Sequence, residues 1–163
     1  MLRIATFLLL LAVPALVQAQ APDTLKKIRD AKSVAVAYRT DALPFSFAGQ
    51  DGQPAGYTVE LCKRVVASLE QQLKTKLKIA WVKATSQNRL DLVKSGKAQM
   101  ECGSTTATLS RMETVDFSSA VFVDTTGLLV RKASGAKALS GLAGKKIAVV
   151  SGTTNQKALA GAI

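Results

Sequence analysis

The chain of 163 residues contains no histidine, and this absence removes several kinds of chemistry at once. A catalytic triad with an imidazole base cannot form, and neither can a metal site with histidine ligands. Aromatic residues are also scarce, at 5% of the sequence, and they are rarely interleaved with the basic residues. Nucleic-acid-binding surfaces usually combine a basic patch with aromatic side chains on which bases stack. The sequence therefore argues against a nucleic-acid partner, and it predicts no metal and no other cofactor.

Acidic residues are few, with 11 against 22 basic residues, and the net charge is +11. The lysines are scattered along the chain rather than clustered, so a solvated basic surface accounts for most of them. A basic balance of this size also attracts acidic solutes or an anionic membrane surface. Charge alone therefore leaves an acidic solute and an anionic membrane surface both open as partners.

The sequence has only two cysteines, Cys62 and Cys102. In an oxidising compartment such a pair can form a disulfide. The alternative is two buried thiols that pack as small apolar side chains. The sequence leaves both interpretations open.

Residues 1–19 have the pattern of a secretory signal. A basic start with Arg3 precedes an almost wholly apolar run that ends at Val17, and Ala19 is the predicted cleavage point. The run is shorter than the ~20 residues that a membrane-spanning helix needs, and Pro14 interrupts it. We therefore expect a soluble protein exported to the periplasm.

Strand-like and helix-like apolar patterns alternate along the rest of the chain. The helix predicted over 58–74 is the clearest, because its apolar residues recur every three or four positions. The other predicted elements are a short helix over 23–29, strands over 33–40, 76–83, 98–102, 121–131 and 145–150, a hairpin turn at Asp51-Gly52, helices over 85–95 and 108–114, and a helix from Gln156 onward. This alternation predicts an α/β fold with mainly parallel strands.

Polar residues follow the predicted strands at the points where the strands end. The stretch from Glu101 to Thr106 leads from an apolar strand into three hydroxyl residues, and Arg111 follows it by five positions. The other strand ends carry Arg39, Ser86 with Arg89, and Thr153 with Thr154. In open α/β sheets, ligands bind outside the carboxyl ends of the strands. We therefore expect one shared site for a small anionic ligand.

Arg89 has a second reason to belong to that site. It is predicted in the first turn of a helix, where a cation opposes the helix macrodipole. The backbone N–H groups at that end are free to bind an anion. Arg89 and these N–H groups are therefore predicted to hold an anion together.

Four motifs carry a family resemblance. They are residues 85–89 (TSQNR), residues 101–106 (ECGSTT) followed by Arg111, Phe117-Ser118, and residues 151–154 (SGTT). In combination they resemble the family 3 extracellular solute-binding proteins, and among these the glutamate/aspartate-binding proteins of bacterial ABC transporters. The likeness runs from about Asp23 to the last residue. It implies a periplasmic-binding-protein-like fold of two α/β lobes with an amino acid held between them.

The resemblance also implies a role for residues that grip the part common to all amino acids. Arg111 would hold the α-carboxylate as a bidentate fork. Ser104 and Thr106 would contact the backbone groups of the ligand. Thr154, at the start of a helix in the second lobe, would close on the ligand from the opposite side.

The side chain of the ligand would be recognised by a different set of residues. On the resemblance, Arg39, Ser86 and Arg89 take a side-chain carboxylate. A neutral or basic ligand would leave the two arginines unpaired in a desolvated site, which is costly. The resemblance therefore implies glutamate or aspartate as the ligand, and a membrane permease of an ABC transporter as the protein partner of a monomer.

The resemblance also places the boundaries of the two lobes. Residues 20–126 would form the first lobe, and residues 127–163 would be the incomplete start of the second. Members of the family are longer, and the acidic residue that usually holds the α-amino group of the ligand lies beyond Ile163. No residue of this chain is assigned that role, and we expect the segment after about Gly127 to be weakly anchored.

Three other interpretations remain open. A dehydratase-type enzyme on the same fold would need a general acid or base facing the cleft. The candidates are Glu101, expected to point away from it, and Glu113 and Asp116, expected on the surface. A sensory module would use the same fold within a larger protein, and a truncated fragment would have no function.

Overall fold

A computed structural model describes residues 24–162, so the predicted signal over 1–19 lies outside the described residues. The helices are α1 (Thr24–Ala31), α2 (Tyr57–Leu73), α3 (Arg89–Lys94), α4 (Leu109–Met112) and α5 (Thr154–Ala160). The strands are β1 (Ser33–Arg39), β2 (Asp41–Ala42), β3 (Ser46–Ala48), β4 (Pro54–Ala55), β5 (Lys78–Ala84) and β6 (Met100–Cys102). Two 3-10 turns span Lys132–Ser134 and Leu139–Leu142. No helix within the described range is both long enough and apolar enough to cross a membrane.

The main sheet has three parallel strands in the order β5-β1-β6, which confirms the prediction of an α/β fold with parallel strands. In its register Arg39 lies beside Ala84, and Tyr38 lies beside Cys102. The three strands therefore end at nearly the same level. The loops that follow them leave from one edge of the sheet, and this brings separate parts of the sequence together there.

A small antiparallel sheet of order β2-β3-β4 lies between β1 and α2 in the sequence. Its hairpin turns at Asp51-Gly52, as predicted, with Gly52 at φ 74°. The hydroxyl of Ser46 in β3 accepts a hydrogen bond from the Arg39 N–H at 2.9 Å. This contact fixes the small sheet to the end of β1.

The core lies on the face of the main sheet that α1 and α2 cover. Its buried members include Ile28, Val34, Val36 and Val66, and Trp81 packs against them as predicted. Cys62 of α2 and Cys102 of β6 form a disulfide, with their Cα atoms 6.3 Å apart. Of the two interpretations of the cysteines, the structure supports the bridge, which fastens the long helix to the strand beneath the ECGSTT stretch.

The opposite face of the main sheet is made of small residues. Ala37, Ala84 and Ala98 are buried there, with Leu92 of α3 packed against them. Side chains as small as alanine leave room on this face for longer neighbours.

The prediction of strands over 121–131 and 145–150 is wrong, because both segments are irregular. A strand needs a neighbour with which to exchange backbone hydrogen bonds, and all six strands within residues 24–162 lie at or before Cys102. Val149 and Val150, predicted to be buried, are exposed. Apolar and β-branched residues raise strand propensity, but they cannot supply the pairing partner.

Two predicted helix starts are also shifted. The helix predicted from residue 85 begins at Arg89, after a turn in which Thr85 and Asn88 exchange hydrogen bonds. The helix predicted from Gln156 begins at Thr154, because the Thr153 hydroxyl accepts the Gln156 N–H and caps it. In both places a hydroxyl residue sets the local geometry, as is common at helix N-termini.

Candidate functional site

An open cleft of about 670 Å³ lies at the edge of the main sheet where its strands end. Five of the seven predicted ligand-binding residues line this cleft: Arg89, Ser104, Thr106, Arg111 and Thr154. They come from three separate stretches of the sequence. The parallel register aligns the ends of β5 and β6 and so brings Arg89 to the same edge as Ser104 and Thr106, while Thr154 is joined to Thr106 by a contact between their hydroxyl groups.

Arg111 lies in α4, whose position is set by Thr108. The Thr108 hydroxyl caps the helix by accepting the Arg111 N–H at 3.3 Å. The Arg111 guanidinium donates from one terminal nitrogen to the Thr106 carbonyl at 2.7 Å and from the other to the Gly152 carbonyl at 3.4 Å. Arg111 therefore contacts both the ECGSTT stretch and the SGTT stretch, with its charge at the cleft.

Ser104 and Thr106 are exposed to the cleft, directly after β6 ends. The Thr106 hydroxyl lies 3.4 Å from the Thr154 hydroxyl, which projects from the first residue of α5. Hydroxyl groups both donate and accept hydrogen bonds. The two threonines therefore offer neighbouring polar groups to a ligand in the cleft.

Arg89 is the first residue of α3 and is only 4% exposed. Its Nε atom is buried without a hydrogen-bond partner. Burial lowers the pKa of Arg89, and the charge of Glu101 opposes that effect. A buried guanidinium with a free donor is well suited to pairing with an anion.

Arg39 and Ser86 are not among the residues that line the cleft. The Arg39 guanidinium pairs with Asp41, whose Oδ1 lies 2.8 Å from Nε and 2.7 Å from a terminal nitrogen. Arg39 lines a second cavity of about 770 Å³ instead. The Ser86 hydroxyl donates to the Ser151 carbonyl at 2.9 Å, so it fastens the SGTT stretch to the end of β5.

Glu101 was expected to point away from the cleft, and it is not among the residues that line it. Its carboxyl group lies next to Gly103 and close enough to Arg89 and Arg39 to interact with their charges. Burial raises the pKa of Glu101, and a hydrogen bond from Thr105 and the charges of the two arginines act against that rise. The alternation in β6 contained the signal, because Met100 and Cys102 face the core and Glu101 must face the other way.

An apolar wall of the cleft was also missed. Phe45 and Phe122 meet edge to face with ring centroids 4.9 Å apart, and both line the cleft. The Tyr57 hydroxyl donates to the Val121 carbonyl at 3.0 Å and holds this segment over α2. The segment was predicted as a strand, and that prediction concealed its part in the cleft.

Gly103 is expected to tolerate no side chain. A Cβ atom at this position would overlap Glu101 Oε1 and lie 3.1 Å from Arg39 Cγ. We expect Gly103→Ala to destabilise the protein by about 1–2 kcal/mol, measured by urea denaturation, because the packed carboxyl group must shift. Gly127→Ala, with no atom within 4 Å of the new Cβ, is the matched control. Equal stability of the two variants would show that the Glu101 carboxyl group is free to move aside.

The acidic and cysteine side chains do not point to a metal. Within residues 24–162 no group of three or more histidine, cysteine, aspartate or glutamate residues is arranged to hold a metal ion. The cleft instead combines guanidinium and hydroxyl groups with an apolar wall. Such a lining is suited to a small anionic organic molecule.

Comparison with known families decides the class of protein. The sequence profile of the bacterial extracellular solute-binding proteins, family 3, matches residues 34–160. The chain belongs to this family. The resemblance stated from the four motifs is therefore confirmed.

Two curated relatives are similar over most of this solute-binding protein. An L-glutamate/L-aspartate-binding protein of Pseudomonas aeruginosa is 36% identical over 97% of the chain and 55% of the relative. A glutamate/aspartate import solute-binding protein of Escherichia coli is 35% identical over 93% of the chain and 53% of the relative. The chain therefore spans about half the length of the curated relatives it matches.

Solved structures support a periplasmic-binding-protein-like fold. An ancestral amino-acid-binding protein, described as a precursor of cyclohexadienyl dehydratase, matches with a TM-score of 0.76 and 28% identity over 85% of the chain and 60% of the other. A histidine-bound substrate-binding protein of an ABC uptake transporter from Streptococcus pneumoniae matches with a TM-score of 0.69 over 86% of the chain and 55% of the other. At 20% identity the second match shows the fold alone.

Proposed function

We propose that this protein binds glutamate or aspartate in the periplasm and delivers it to the permease of an ABC transporter. One observation carries the proposal: Arg89 and Arg111 line a single cleft together with hydroxyl groups of Ser104, Thr106 and Thr154. Two cations in one cleft suit a ligand with two carboxylates. Relatives named for glutamate and aspartate support the same proposal.

In the proposed complex, Arg111 takes the α-carboxylate. Its guanidinium donates to the backbone carbonyl oxygens of Thr106 and Gly152. A ligand carboxylate within reach of the same N–H groups would be a stronger acceptor than these carbonyl oxygens. Arg89 takes the side-chain carboxylate, because its Nε is buried and has no hydrogen-bond partner. The ligand would thus lie across the end of β6 with its two carboxylates held separately.

Arg39 and Ser86 remain in the proposed site, but each must first exchange its present hydrogen-bond acceptor for the ligand. Arg39 reaches the ligand if the ligand carboxylate replaces Asp41, whose side chain is exposed enough to turn into water. Ser86 reaches it if its hydroxyl exchanges the Ser151 carbonyl for the ligand. Both exchanges substitute one acceptor oxygen for another, so they leave no donor unsatisfied.

Calorimetric titration with L-glutamate, L-aspartate and L-glutamine tests the proposed function. We expect saturable binding of one or both acidic amino acids and much weaker binding of glutamine, because glutamine leaves the Arg89 charge unpaired. Equal affinity for glutamate and glutamine would refute the role of Arg89. Absence of binding to all three would refute the function for this chain.

Replacing Arg89 should change ligand preference rather than abolish binding. We expect Arg89→Ala to weaken glutamate binding roughly 10- to 100-fold and to leave glutamine binding within about threefold, because glutamine has no side-chain charge to lose. Lys94→Ala, at the exposed end of α3, removes a positive charge from the same helix and serves as control. Loss of glutamate and glutamine binding in equal measure would argue that Arg89 supports the fold of the site instead.

A dehydratase activity is the second candidate, because the solved structure with a TM-score of 0.76 is described as a dehydratase precursor. Such an enzyme needs a general acid that faces the substrate. Glu101 has a raised pKa, but it is not among the residues that line the cleft. Turnover of a cyclic acidic substrate, followed by absorbance, would favour the enzyme over the binding protein.

A further inference from the structure

Lysines are distributed unevenly between the two edges of the main sheet. At the edge opposite the cleft, three connections lead from the end of a helix to the start of a strand: α1 to β1, α2 to β5 and α3 to β6. Residues 31–32, 74–78 and 94–99, which form these connections, include six lysines and no acidic residue. The residues that follow the same strands at the cleft edge, 40–45, 85–88 and 103–108, include no lysine. Lysines that are scattered in the sequence are therefore gathered at one edge by the fold.

The six lysines form a surface that we call the basic edge, and all of them are exposed. They are Lys32, Lys74, Lys76, Lys78, Lys94 and Lys97. Backbone contacts bring the connections to one level. The Lys78 N–H donates to the Lys32 carbonyl at 3.0 Å, and the Gln99 N–H donates to the Ala35 carbonyl at 2.8 Å, so Lys97 lies near the start of β1.

Most of the charge of the basic edge is not compensated within the protein. Within residues 24–162, Lys76 is the one member of the set that forms a salt bridge, and its partner is Glu70 at 3.2 Å. The Lys76 side chain nevertheless remains 94% exposed. Asp91 lies one turn before Lys94 in α3 but forms no salt bridge with it. The basic edge therefore presents nearly all of its positive charge to the surroundings.

Two of these lysines occupy positions where glycine would be favoured. Within the described part of the chain, Lys32 and Lys74 are the two residues other than glycine with a positive φ, at 48° and 49°. Each follows the last residue of a helix, where glycine is usual because a Cβ atom is strained in this conformation. A lysine at a helix end does interact favourably with the helix dipole, but the effect falls off beyond the last turn and does not reach the lysines that lead into β5 and β6. Folding alone therefore does not account for the basic edge.

The composition of the basic edge suits a lipid surface better than a protein or a nucleic acid. Protein interfaces are poor in lysine and rich in aromatic residues and arginine, and the three connections contain neither. Single-stranded nucleic acids are bound largely by aromatic stacking. Lysine is a hydrated point charge on a flexible stem, and several lysines spread along one edge match a layer of anionic headgroups.

We propose that the basic edge docks on an anionic membrane surface, with the cleft on the side of the protein that faces away from the lipid. The β5 strand has seven residues, so its two ends are separated by about 20 Å. This separation is more than twice the screening length of about 8 Å at physiological ionic strength. The lipid surface therefore leaves the cleft accessible to solutes, and docking of this kind does not depend on which ligand the cleft binds.

Flotation with lipid vesicles tests the proposal. We expect the protein to bind vesicles made of phosphatidylglycerol and phosphatidylcholine in equal parts more tightly than vesicles of phosphatidylcholine alone. The difference should disappear as sodium chloride is raised, because salt screens exposed charges. Equal binding to the two kinds of vesicle at low salt would overturn the proposal, whatever the result of the glutamate titration.

The double variant Lys32→Gly with Lys74→Gly separates docking from folding. Glycine relieves the positive φ at both positions, so the unfolding temperature should not fall, whereas affinity for the anionic vesicles should fall roughly 10- to 30-fold. The matched control is Lys145→Ala with Lys146→Ala, which removes the same charge from an exposed stretch that leads into the second cavity. Equal losses of affinity in the two double variants would show that net charge, and not the basic edge, attracts the lipid.

The orientation on the membrane has its own test. Arg111→Ala removes a cation that lines the cleft at the opposite edge of the sheet, so it should leave vesicle binding unchanged. A loss of vesicle affinity as large as that of the Lys32→Gly and Lys74→Gly variant would place the lipid at the cleft and contradict the proposal.

Discussion

Arg111→Ala is expected to reduce binding of glutamate, aspartate and glutamine alike by roughly 100-fold or more, equivalent to about 3 kcal/mol. The α-carboxylate is common to all amino acids, and Arg111 is the cation at the cleft that we assign to it. The same side chain also donates to the Thr106 and Gly152 carbonyl oxygens. Its loss therefore removes the carboxylate partner and loosens both walls of the cleft.

Two variants make this result interpretable. Arg111→Lys keeps the charge but loses the planar fork, so it should recover only part of the affinity. Arg64→Ala removes an exposed arginine of α2 that is not among the residues lining the cleft, and it should bind as the wild type does. Glutamate binding by Arg111→Ala within threefold of the wild type would contradict the assignment. Thermal unfolding of each variant should show whether the fold persists.

Removing the disulfide is expected to have the largest effect on stability. Cys62 and Cys102 are 40 residues apart in the sequence, and closing a loop of that length restricts the unfolded chain by about 4 kcal/mol. We expect the variant with both cysteines replaced by alanine to unfold at a temperature lower by on the order of 10–20 °C. Differential scanning calorimetry measures the shift.

Reduction of the wild-type protein provides the control for this prediction. Dithiothreitol breaks the bridge without changing the volume of either side chain, so a similar shift on reduction would assign the effect to the covalent link. An unchanged unfolding temperature on reduction would contradict the prediction. Two free thiols in the denatured, unreduced protein would show directly that the bridge is absent.

The residues whose gathering at one cleft could be predicted from the sequence are those that depend on local structure. Ser104, Thr106 and Arg111 follow one strand within ten positions, so identifying the end of that strand was enough to place them together. Placing Arg89 at the same site required one further inference, namely that the strand ends of a parallel sheet are aligned. Both arguments use only rules of strand and helix geometry.

The parts that could not be predicted depend on partners distant in sequence or on pairing that the sequence does not reveal. The contact between Ser86 and Ser151 spans 65 positions, and nothing local marks it. The run over 121–131 has the composition of a strand, but strand formation depends on a neighbour. Arg39 pairs with Asp41 and does not line the cleft, and the sequence analysis did not predict this contact.

The position of Glu101 could be predicted only in part. Side chains alternate along β6, so Glu101 lies on the face opposite Met100 and Cys102, and it is not among the residues that line the cleft, as expected. Its burial near Arg39 and Arg89 depends on residues from other parts of the sequence, and nothing local indicates it.

The three strands of the main sheet end at nearly the same level. This alignment restricts how a protein of this kind can change its ligand during evolution. Inserting or deleting one residue within β1, β5 or β6 would shift the following loop by about 3.3 Å and turn every later side chain of that strand to the other face. Such a change would carry Arg89 or Ser104 away from the cleft in one step. We therefore expect lineages that acquire new ligands to do so by exchanging side chains at the strand ends, while strand lengths stay constant.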